Sequence, residues 1–266
     1  MRVALTIAGS DSGGGAGIQA DLKTFHQFGA FGTSVIVAIT AQNTLGVTAV
    51  HPVPVEIVEA QMAALAADLS PQATKTGMLA TRDLARAVAA GIRRHRFENY
   101  VLDPVMVATS GDRLLSRDAE RTVATDLVPL ATLVTPNLDE AEILVEFEVR
   151  SSEQMARAGR ALLDLGAHAA LIKGGHLAQQ DLVDILVTHG GTRRFTHPRI
   201  DTTSVHGTGC TLSSAVTAGL ALGRPLERVV EDALDFVHRA IRMAPGLGAG
   251  HGPMNHFVEA LRDGSK

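Results

Sequence analysis

The feature that most constrains the fold is a regular alternation of short apolar, β-branched runs with longer amphipathic segments rich in alanine and leucine. Such an alternation is typical of a mostly parallel sheet whose two faces are covered by helices. The runs that predict strands are Val3–Ala8, Ser34–Thr40, Thr74–Gly77, Tyr100–Asp103, Thr132–Thr135 and Ala169–Lys173. The segments that predict helices are Gly17–Phe28, Val55–Leu69, Arg82–His95, Arg117–Leu127, Leu138–Glu146 and Glu153–Leu165. The chain is therefore expected to be an α/β protein.

The last third of the chain follows a different pattern. Leu182–Thr188 and Arg193–Phe195, joined across two glycines, predict a hairpin at the edge of the sheet. Two helices are predicted after it, over Thr211–Leu222 and Leu226–Met243. Because no Pro/Ser-rich linker, repeat or low-complexity tract interrupts the sequence, we expect one domain over residues 1–266.

Composition excludes several classes of function. A formal net charge of −4 offers no basic excess for nucleic acid or an anionic membrane, and the absence of Trp with one Tyr argues against stacking on single-stranded nucleic acid. One cysteine excludes an internal disulfide and a multi-thiolate metal site. The run Arg2–Ala8 is too short for a secretory signal, and no window approaches the ~18 apolar residues that span a bilayer. We expect a cytoplasmic protein.

Polar residues and glycines collect where the predicted strands end. They are Gly9–Gly17, Gln42-Asn43, Asp103-Pro104, Asn137 and Lys173–His176. In open parallel sheets, ligands bind beyond the carboxyl ends of the strands. The sequence therefore predicts a ligand site along this edge.

The segment His206-Gly207-Thr208-Gly209-Cys210 directly precedes an apolar helical run. Backbone N–H groups at a helix start are unpaired and form an anion-binding cradle. The helix dipole favours a thiolate there, so Cys210 is a candidate base or nucleophile for group transfer from a phosphate donor. The alternative is that this cysteine is a small buried apolar residue.

The glycine-rich loop Gly9–Gly17 does not match a known nucleotide loop. It lacks the Gly-Lys-Ser/Thr ending of a P-loop. The spacing Gly15-x-Gly17-x-x-Ala20 resembles a dinucleotide fingerprint, but no carboxylate follows the second strand, over residues 39–43. NAD binding is therefore disfavoured, and part of the loop is explained by a tight turn.

Three further side chains are candidates for ligand contacts. The Gln42 amide suits the edge of an aminopyrimidine-like ring, or is simply a hydrogen-bonded loop residue. Lys173 ends a buried strand and can neutralise phosphate, or extend to solvent. Asp21 is a surface charge or a ligand contact, and the sequence does not decide.

Asn137 and Glu140 have two interpretations. Their spacing predicts an N-cap and its capping-box partner, which these residues alone favour. They could also lie beside a hydrated Mg²⁺ and the donor phosphates, with Asp103 adding charge.

Taken together, these segments resemble the hydroxymethylpyrimidine/phosphomethylpyrimidine kinases of thiamine biosynthesis, within the ribokinase-like superfamily. The similarity runs from Val3 to the Gly252-Pro253…His256-Phe257 stretch. The segments that carry it are Ala8–Asp21, Ala41–Thr44, Lys75–Leu79, Leu102–Met106, Thr109–Asp112, Thr135–Asn137, Lys173–His176 and His206–Cys210.

The resemblance implies a three-layer α/β/α sandwich with a mostly parallel central sheet, ATP as donor, Mg²⁺, and usually a homodimer. It implies phosphorylation of 4-amino-5-hydroxymethyl-2-methylpyrimidine, and then of the monophosphate. Carried over by motif, Gly9, Asp21, Gln42, Met78 and Val105 would line the pyrimidine site. Lys173, Gly207, Thr208, Gly209 and Cys210 would serve phosphoryl transfer, with Asn137, Lys173 and Gly209 at the nucleotide and Asp103, Asn137 and Glu140 at the metal.

Two alternatives remain open. Most members of the superfamily carry aspartate where this chain has Cys210. Cysteine at this position also occurs in some pyridoxal kinases, so a vitamin B6 kinase remains a candidate. A non-catalytic metabolite sensor on the same scaffold is the other. The loop Ala108–Leu115 is a candidate lid.

Overall fold

The computed structural model describes residues 1–106, 117–175 and 181–260, and all of its strands join one nine-stranded sheet. The strands are β1 (Val3–Gly9), β2 (Phe31–Asn43), β3 (Gly46–Pro52), β4 (Ala73–Thr76), β5 (Tyr100–Leu102), β6 (Leu133–Val134), β7 (Ala169–Lys173), β8 (Asp181–Thr188) and β9 (Gly191–Pro198). Their order across the sheet is β3-β2-β1-β4-β5-β6-β7-β8-β9. The six central strands are parallel, while β3, β8 and β9 add antiparallel edges.

Eight α-helices connect or follow these strands. They are α1 (Gly17–Gln27), α2 (Val55–Asp68), α3 (Arg82–His95), α4 (Arg117–Thr122), α5 (Leu138–Val145), α6 (Ser152–Asp164), α7 (Thr208–Ala221) and α8 (Leu226–Arg242), counted over the described ranges. After α4 the chain continues through a π-helical turn and a 3₁₀ turn before β6. Among the described residues, no helix has the length and apolar character to cross a bilayer.

The sheet separates two apolar cores. In β1, Leu5 and Ile7 face the core formed with α2 to α6, whereas Ala4 faces the core formed with α1, α7 and α8. This follows from the two-residue side-chain period of a strand. The layers are helix, sheet and helix, which confirms the predicted fold class.

Of the edge strands, the sequence predicts the hairpin of β8 and β9 but not β3. The hairpin of β8 and β9 is confirmed and pairs along its length from Asp181–Pro198 to Thr188–Gly191. Strand β3 was not predicted, because its residues are largely exposed and carry no buried apolar run. It forms by antiparallel pairing with β2. The predicted lid Ala108–Leu115 and His176 lie outside the described residues.

Candidate active site

The carboxyl ends of the parallel strands meet the start of α7, as the sequence predicts. Asp103 follows β5 and Lys173 ends β7. A Cβ atom placed on Gly209 would lie 3.2 Å from Lys173 Nζ and 3.6 Å from Asp103 Oδ2. The glycine of the helix start, the lysine and the carboxylate therefore share one small region.

The backbone at the start of α7 is shaped for an anion. Gly207 is the N-cap, with a left-handed φ of 80°. A Cβ atom there would overlap the carbonyl oxygen of Gly15, so only glycine lets the loop Gly9–Gly17 pack this closely. The N–H groups of Gly209 and Cys210 find no acceptor among the described residues. Two donors at a helix N-terminus thus remain for a ligand.

Cys210 lies in the first turn of α7 and is partly buried. Burial raises the pKa of its thiol to about 12, the nearby Lys75 charge opposes this, and Asp21 and Asp103 add to it. The expectation that Cys210 is favoured as a thiolate is therefore wrong. The dipole is outweighed by loss of solvent and by two neighbouring carboxylates.

Lys173 lies between two acidic side chains. Its Nζ is 3.4 Å from Asp103 Oδ1 and 3.9 Å from Glu140 Oε2, and the side chain is 17% exposed. Burial works against the ammonium charge, but the two carboxylates outweigh it and raise the pKa of Lys173. The lysine is therefore a fixed cation facing the cleft, and its interpretation as a solvent-directed surface lysine does not fit this placement.

Asn137 and Glu140 form the capping box that their spacing predicts. The Asn137 N–H donates to Glu140 Oε2 at 2.8 Å, and the Glu140 N–H donates to Asn137 Oδ1 at 2.9 Å. Burial raises the pKa of Glu140 to about 7, Lys173 opposes this, and Asp103 adds to it. Capping is thus observed for both residues.

The acidic groups fit a hydrated metal better than a closed cage. No group of three or more His, Cys, Asp and Glu converges as a metal site in the described part of the chain. Asp103 and Glu140 both lie within 4 Å of Lys173 Nζ, so two carboxylates face the same region. Mg²⁺ keeps several waters and often needs only one or two protein carboxylates beside substrate phosphates. The donor set therefore fits Mg²⁺ that accompanies a nucleotide.

Another part of this edge combines apolar contacts with one amide. A Cβ atom on Gly9 would lie 2.6 Å from Met78 Cε, and the Gly9 N–H donates to the Met78 carbonyl. Val105 is partly buried beside Asp103. The Gln42 amide is partly exposed and lies 3.3 Å from His206 Nε2. A flat apolar ring with a polar edge is the kind of ligand that such groups suit.

Asp21 does not reach this surface. Its carboxylate is fully buried and accepts hydrogen bonds from the Thr6 hydroxyl at 2.6 Å, the Ser214 hydroxyl at 2.6 Å and the Lys75 ammonium at 2.9 Å. Both oxygens are occupied by internal partners. The surface-charge interpretation of Asp21 is therefore wrong, and the structure offers no exposed Asp21 oxygen to a ligand.

Two functional groups were missed at the level of sequence. Lys75 enters the sequence analysis only within the segment Lys75–Leu79, although a lysine inside a short apolar strand indicates a buried ion pair. The carboxylate of Asp11 accepts N–H bonds from Gly13, Gly15 and Ala16 and also contacts His206. No local pattern joins Asp11 to a histidine 195 positions away.

Known proteins with similar sequences identify the family of this chain. The phosphomethylpyrimidine kinase family model matches residues 11–255. The hydroxymethylpyrimidine/phosphomethylpyrimidine kinase of Rhizobium meliloti (strain 1021) is 52% identical over 264 residues, which are 98% of this chain and 99% of that protein. The thiamine biosynthesis bifunctional protein ThiED of Geobacter sulfurreducens is 48% identical over 96% of this chain and 52% of its own length.

The fold is also found in solved structures. An ADP complex of Bacillus subtilis pyridoxal kinase superposes with a TM-score of 0.90 at 37% identity, over 96% of this chain and 97% of that one. The fold by itself therefore does not separate pyrimidine kinases from pyridoxal kinases. The family match and the near full-length identity favour the pyrimidine kinases, and the chain is a kinase that belongs to the phosphomethylpyrimidine kinase family.

Proposed function

We propose that this chain transfers the γ-phosphoryl group of ATP to the hydroxymethyl oxygen of 4-amino-5-hydroxymethyl-2-methylpyrimidine, and then phosphorylates the monophosphate to the diphosphate, in thiamine biosynthesis. The observation that supports it most is that the N–H donors of Gly209 and Cys210, which find no acceptor in the described part of the chain, lie beside the Lys173 ammonium. Phosphoryl transfer needs positioning and charge neutralisation more than covalent help. These groups supply both.

In this proposal the α7 start binds the moving phosphoryl group. The sequence candidates are the N–H donors of Gly207, Thr208, Gly209 and Cys210. Of these, the Thr208 N–H donates to the Val205 carbonyl. Gly209 and Cys210 are therefore the donors ready for an anion, while Gly207 keeps the loop close. Fixed donors of this kind stabilise the charge that develops in the transition state.

Lys173 acts on the donor phosphates in this mechanism. Its ammonium is held by Asp103 and Glu140, so it needs little reorganisation to meet a phosphate. When bound with the nucleotide, Mg²⁺ supplies further positive charge, and Asp103, Glu140 and Asn137 are the residues that would hold it. The capping box keeps the last two at fixed positions.

Cys210 is proposed to accept the proton of the attacking alcohol. With the thiol pKa raised to about 12, only a small fraction of the thiol is ionised to the basic thiolate at neutral pH. In the second step the acceptor is a phosphate that is already ionised, so this proton transfer is not needed. Cys210 should therefore matter more for the first phosphorylation than for the second.

The pyrimidine ring is proposed to lie against Gly9, Met78 and Val105 and to pair its amino edge with Gln42. The apolar contacts of Gly9 and Met78 suit a ring face, and the amide supplies a donor and an acceptor. Asp21 is proposed to act indirectly. It holds the Lys75 ammonium in an ion pair and does not contact the ring itself.

We further propose a cytoplasmic homodimer of single-domain chains. Exposed apolar side chains on β2, on β3 and between these strands support the dimer: Ile39 is 55% exposed, Leu45 71% and Val50 44%. An edge strand with exposed apolar surface offers a template for pairing with another chain. Sedimentation of the protein would test the dimer directly.

A turnover assay tests the proposed activity. Purified protein is given ATP–Mg²⁺ and the pyrimidine alcohol, with pyridoxal as a competing acceptor. We expect the pyrimidine to be phosphorylated with the higher kcat/KM. Preference for pyridoxal would assign a vitamin B6 kinase, and binding without turnover would assign a metabolite sensor.

Gln42→Leu adds a test of the ring contact. Loss of the amide leaves a donor and an acceptor of the ring unpaired, which costs about 1–3 kcal/mol per buried group. Activity with the pyrimidine alcohol should fall while the KM for ATP stays close to the wild-type value. An unchanged kcat/KM for the pyrimidine would remove Gln42 from the site.

A further inference from the structure

A glycine-rich segment after α8 lies against the turn between β2 and β3. This segment, residues 248–253, is here named the glycine strap. Its His251 N–H donates to the Thr44 carbonyl at 2.8 Å, and its Gly250 N–H donates to the Thr44 hydroxyl at 3.4 Å. Thr44 belongs to the turn that joins β2 to β3, two positions after Gln42. The glycine strap therefore holds the turn that follows the candidate ring contact.

Two glycines of the strap lie so close to this turn that no side chain fits between them. A Cβ atom on Gly248 would overlap the Thr44 side chain, and a Cβ atom on Gly250 would overlap the Thr44 carbonyl oxygen. Gly248 also has a left-handed φ of 81°. The strap can therefore approach the turn this closely only because these two positions carry no side chain.

The other end of the strap is attached to the segment before α7. The His206 N–H donates to the carbonyl of the buried Gly252 at 3.2 Å, and His206 forms a parallel β-bridge with Pro253. The next residue after His206 is Gly207, the N-cap of α7. One short segment thus connects the turn after Gln42 with the start of the helix that is proposed to bind the phosphoryl group.

The backbone at Gln42 needs such a support because the sheet is irregular there. In the described part of the chain β3 is an edge strand that pairs with β2 alone, and the register of this pair shifts between Ala41 and Gln42. An irregularity of this kind disrupts the hydrogen-bond ladder locally. The Ser12 hydroxyl bonds to the Gln42 backbone at 2.7 and 2.8 Å, and the contacts of the strap with Thr44 are a second constraint.

We propose that the glycine strap positions the acceptor: by holding Thr44 at one end and His206 at the other, it fixes where Gln42 lies relative to the start of α7. This inference rests on the proposed function, in which Gln42 contacts the ring and α7 binds the phosphoryl group. Phosphoryl transfer depends on the alignment of the attacking oxygen with the donor. A misplacement of about 1 Å can cost about a hundredfold in rate. The strap acts through Thr44 and His206, without contacting the ring.

Gly248→Ala tests the contact, because the added methyl group must displace Thr44. We expect kcat/KM for the pyrimidine alcohol to fall by about tenfold or more, while the KM for ATP stays close to the wild-type value. Gly246→Ala is the matched control. Gly246 has a left-handed φ of 67°, but a Cβ atom there meets nothing within 4 Å. Both substitutions strain the backbone alike, so the difference between them measures the contact with Thr44.

A second substitution should restore the activity that Gly248→Ala loses. Thr44→Gly removes the side chain that the new methyl group would overlap and keeps the carbonyl that His251 contacts. The variant with both substitutions should therefore approach the kcat/KM of Thr44→Gly alone, reduced only by the loss that Gly246→Ala shows. Such non-additivity is expected of residues in direct contact. Losses that simply multiply would overturn the proposal, because the strap would then not act through Thr44.

Hydrogen exchange of the backbone amides of residues 41–47 gives a readout that needs no substrate. Exchange should be faster in Gly248→Ala than in Gly246→Ala, because the turn loses its support. Wild-type protein that does not phosphorylate the pyrimidine alcohol would refute the proposed function. Equal exchange in the two variants, or faster exchange in Gly248→Ala with an unchanged kcat/KM, would refute this inference alone.

Discussion

Lys75 and Asp21 form a fully enclosed ion pair in which Nζ lies 2.9 Å from Oδ1 and neither side chain has exposed surface. The pair lies below the start of α7, because Ser214 of that helix donates to the same carboxylate oxygen. Burial works against the ammonium, but Asp21, with Cys210 and Asp103, raises the pKa of Lys75. A positive charge is thereby kept beneath the candidate catalytic thiol.

Breaking this pair should be costly. Lys75→Met leaves Asp21 as an uncompensated buried charge, which costs about 3–5 kcal/mol. Urea unfolding measures the loss, and adding Asp21→Asn should recover part of it. Arg150→Met is the control, since Arg150 pairs with Asp139 at 3.2 Å on the surface and such pairs contribute about 0–1 kcal/mol. Equal losses in the two single variants would contradict a special role for burial.

Gly207 and Gly223 allow steric contact to be separated from backbone strain. Their φ angles are 80° and 78°, but a Cβ atom overlaps Gly15 O only at Gly207 and meets nothing within 4 Å at Gly223. Gly223→Ala should cost about 1–2 kcal/mol from the left-handed backbone alone. Gly207→Ala should cost about 1–3 kcal/mol more and reduce activity. Thermal unfolding and turnover of both variants measure these effects. Similar losses of stability and activity in the two variants would show that the loop Gly9–Gly17 moves to make room for the added methyl group.

Cys210 can be tested against the two phosphorylation steps. A general base contributes about 10²–10⁴-fold, so Cys210→Ala should lose far more in the first step than in the second. Cys210→Asp should recover part of the first step. Equal losses in both steps, or full activity of Cys210→Ala, would show that the thiol only fills space.

The pH dependence of the first step should report the raised pKa of Cys210. A thiol with a pKa of about 12 yields ten times more thiolate for each added pH unit between pH 7 and 9. The rate of the first step should therefore rise by up to about tenfold for each pH unit. The rate of the second step should depend less on pH. In Cys210→Asp the slope should disappear, because a carboxylate is already ionised there. A slope that survives in Cys210→Asp would assign the proton to solvent hydroxide.

Lys173 and Mg²⁺ should compensate for one another. Lys173→Ala removes one positive charge from beside Asp103, so turnover should fall and the loss should deepen as Mg²⁺ is lowered. Lys173→Arg, which keeps the charge, should show a shallower Mg²⁺ dependence. A titration in which Lys173→Ala follows the wild-type curve would return this lysine to a surface role.

Asp184 gives a stability prediction with a definite sign. Burial raises its pKa to about 6, opposed by the bond from the Gly174 N–H and by Lys173. The folded protein therefore holds this proton more tightly than the unfolded chain, and its stabilising contribution is lost as pH rises from about 4 through 6. Asp184→Asn keeps an acceptor for Gly174 and removes the titration. The difference in unfolding free energy between wild type and Asp184→Asn should decline over that range, and a constant difference would contradict the shift.

Local sequence patterns correctly predicted the features that depend on residues within a single helix or strand. Alternating apolar runs predicted the six parallel strands, and the spacing of Asn137 and Glu140 predicted the capping box. The structure contains both. Strand β3 was missed because it exists only through pairing with β2. The ionisation of Cys210 was misjudged because the helix dipole is a local property, while burial and the charges of Asp21 and Asp103 come from distant segments.

The sequence by itself determined the alternation of strands and helices, the glycine-rich turns and the polar residues at the strand ends, because each of these depends on neighbours within a few positions. Only the tertiary structure decided which charges meet. Asp21 is paired with Lys75, Lys173 lies between Asp103 and Glu140, and His206 joins Asp11 to Gln42. The reason is that burial and electrostatic contact depend on distances in space, and the sheet brings together residues that are far apart along the chain.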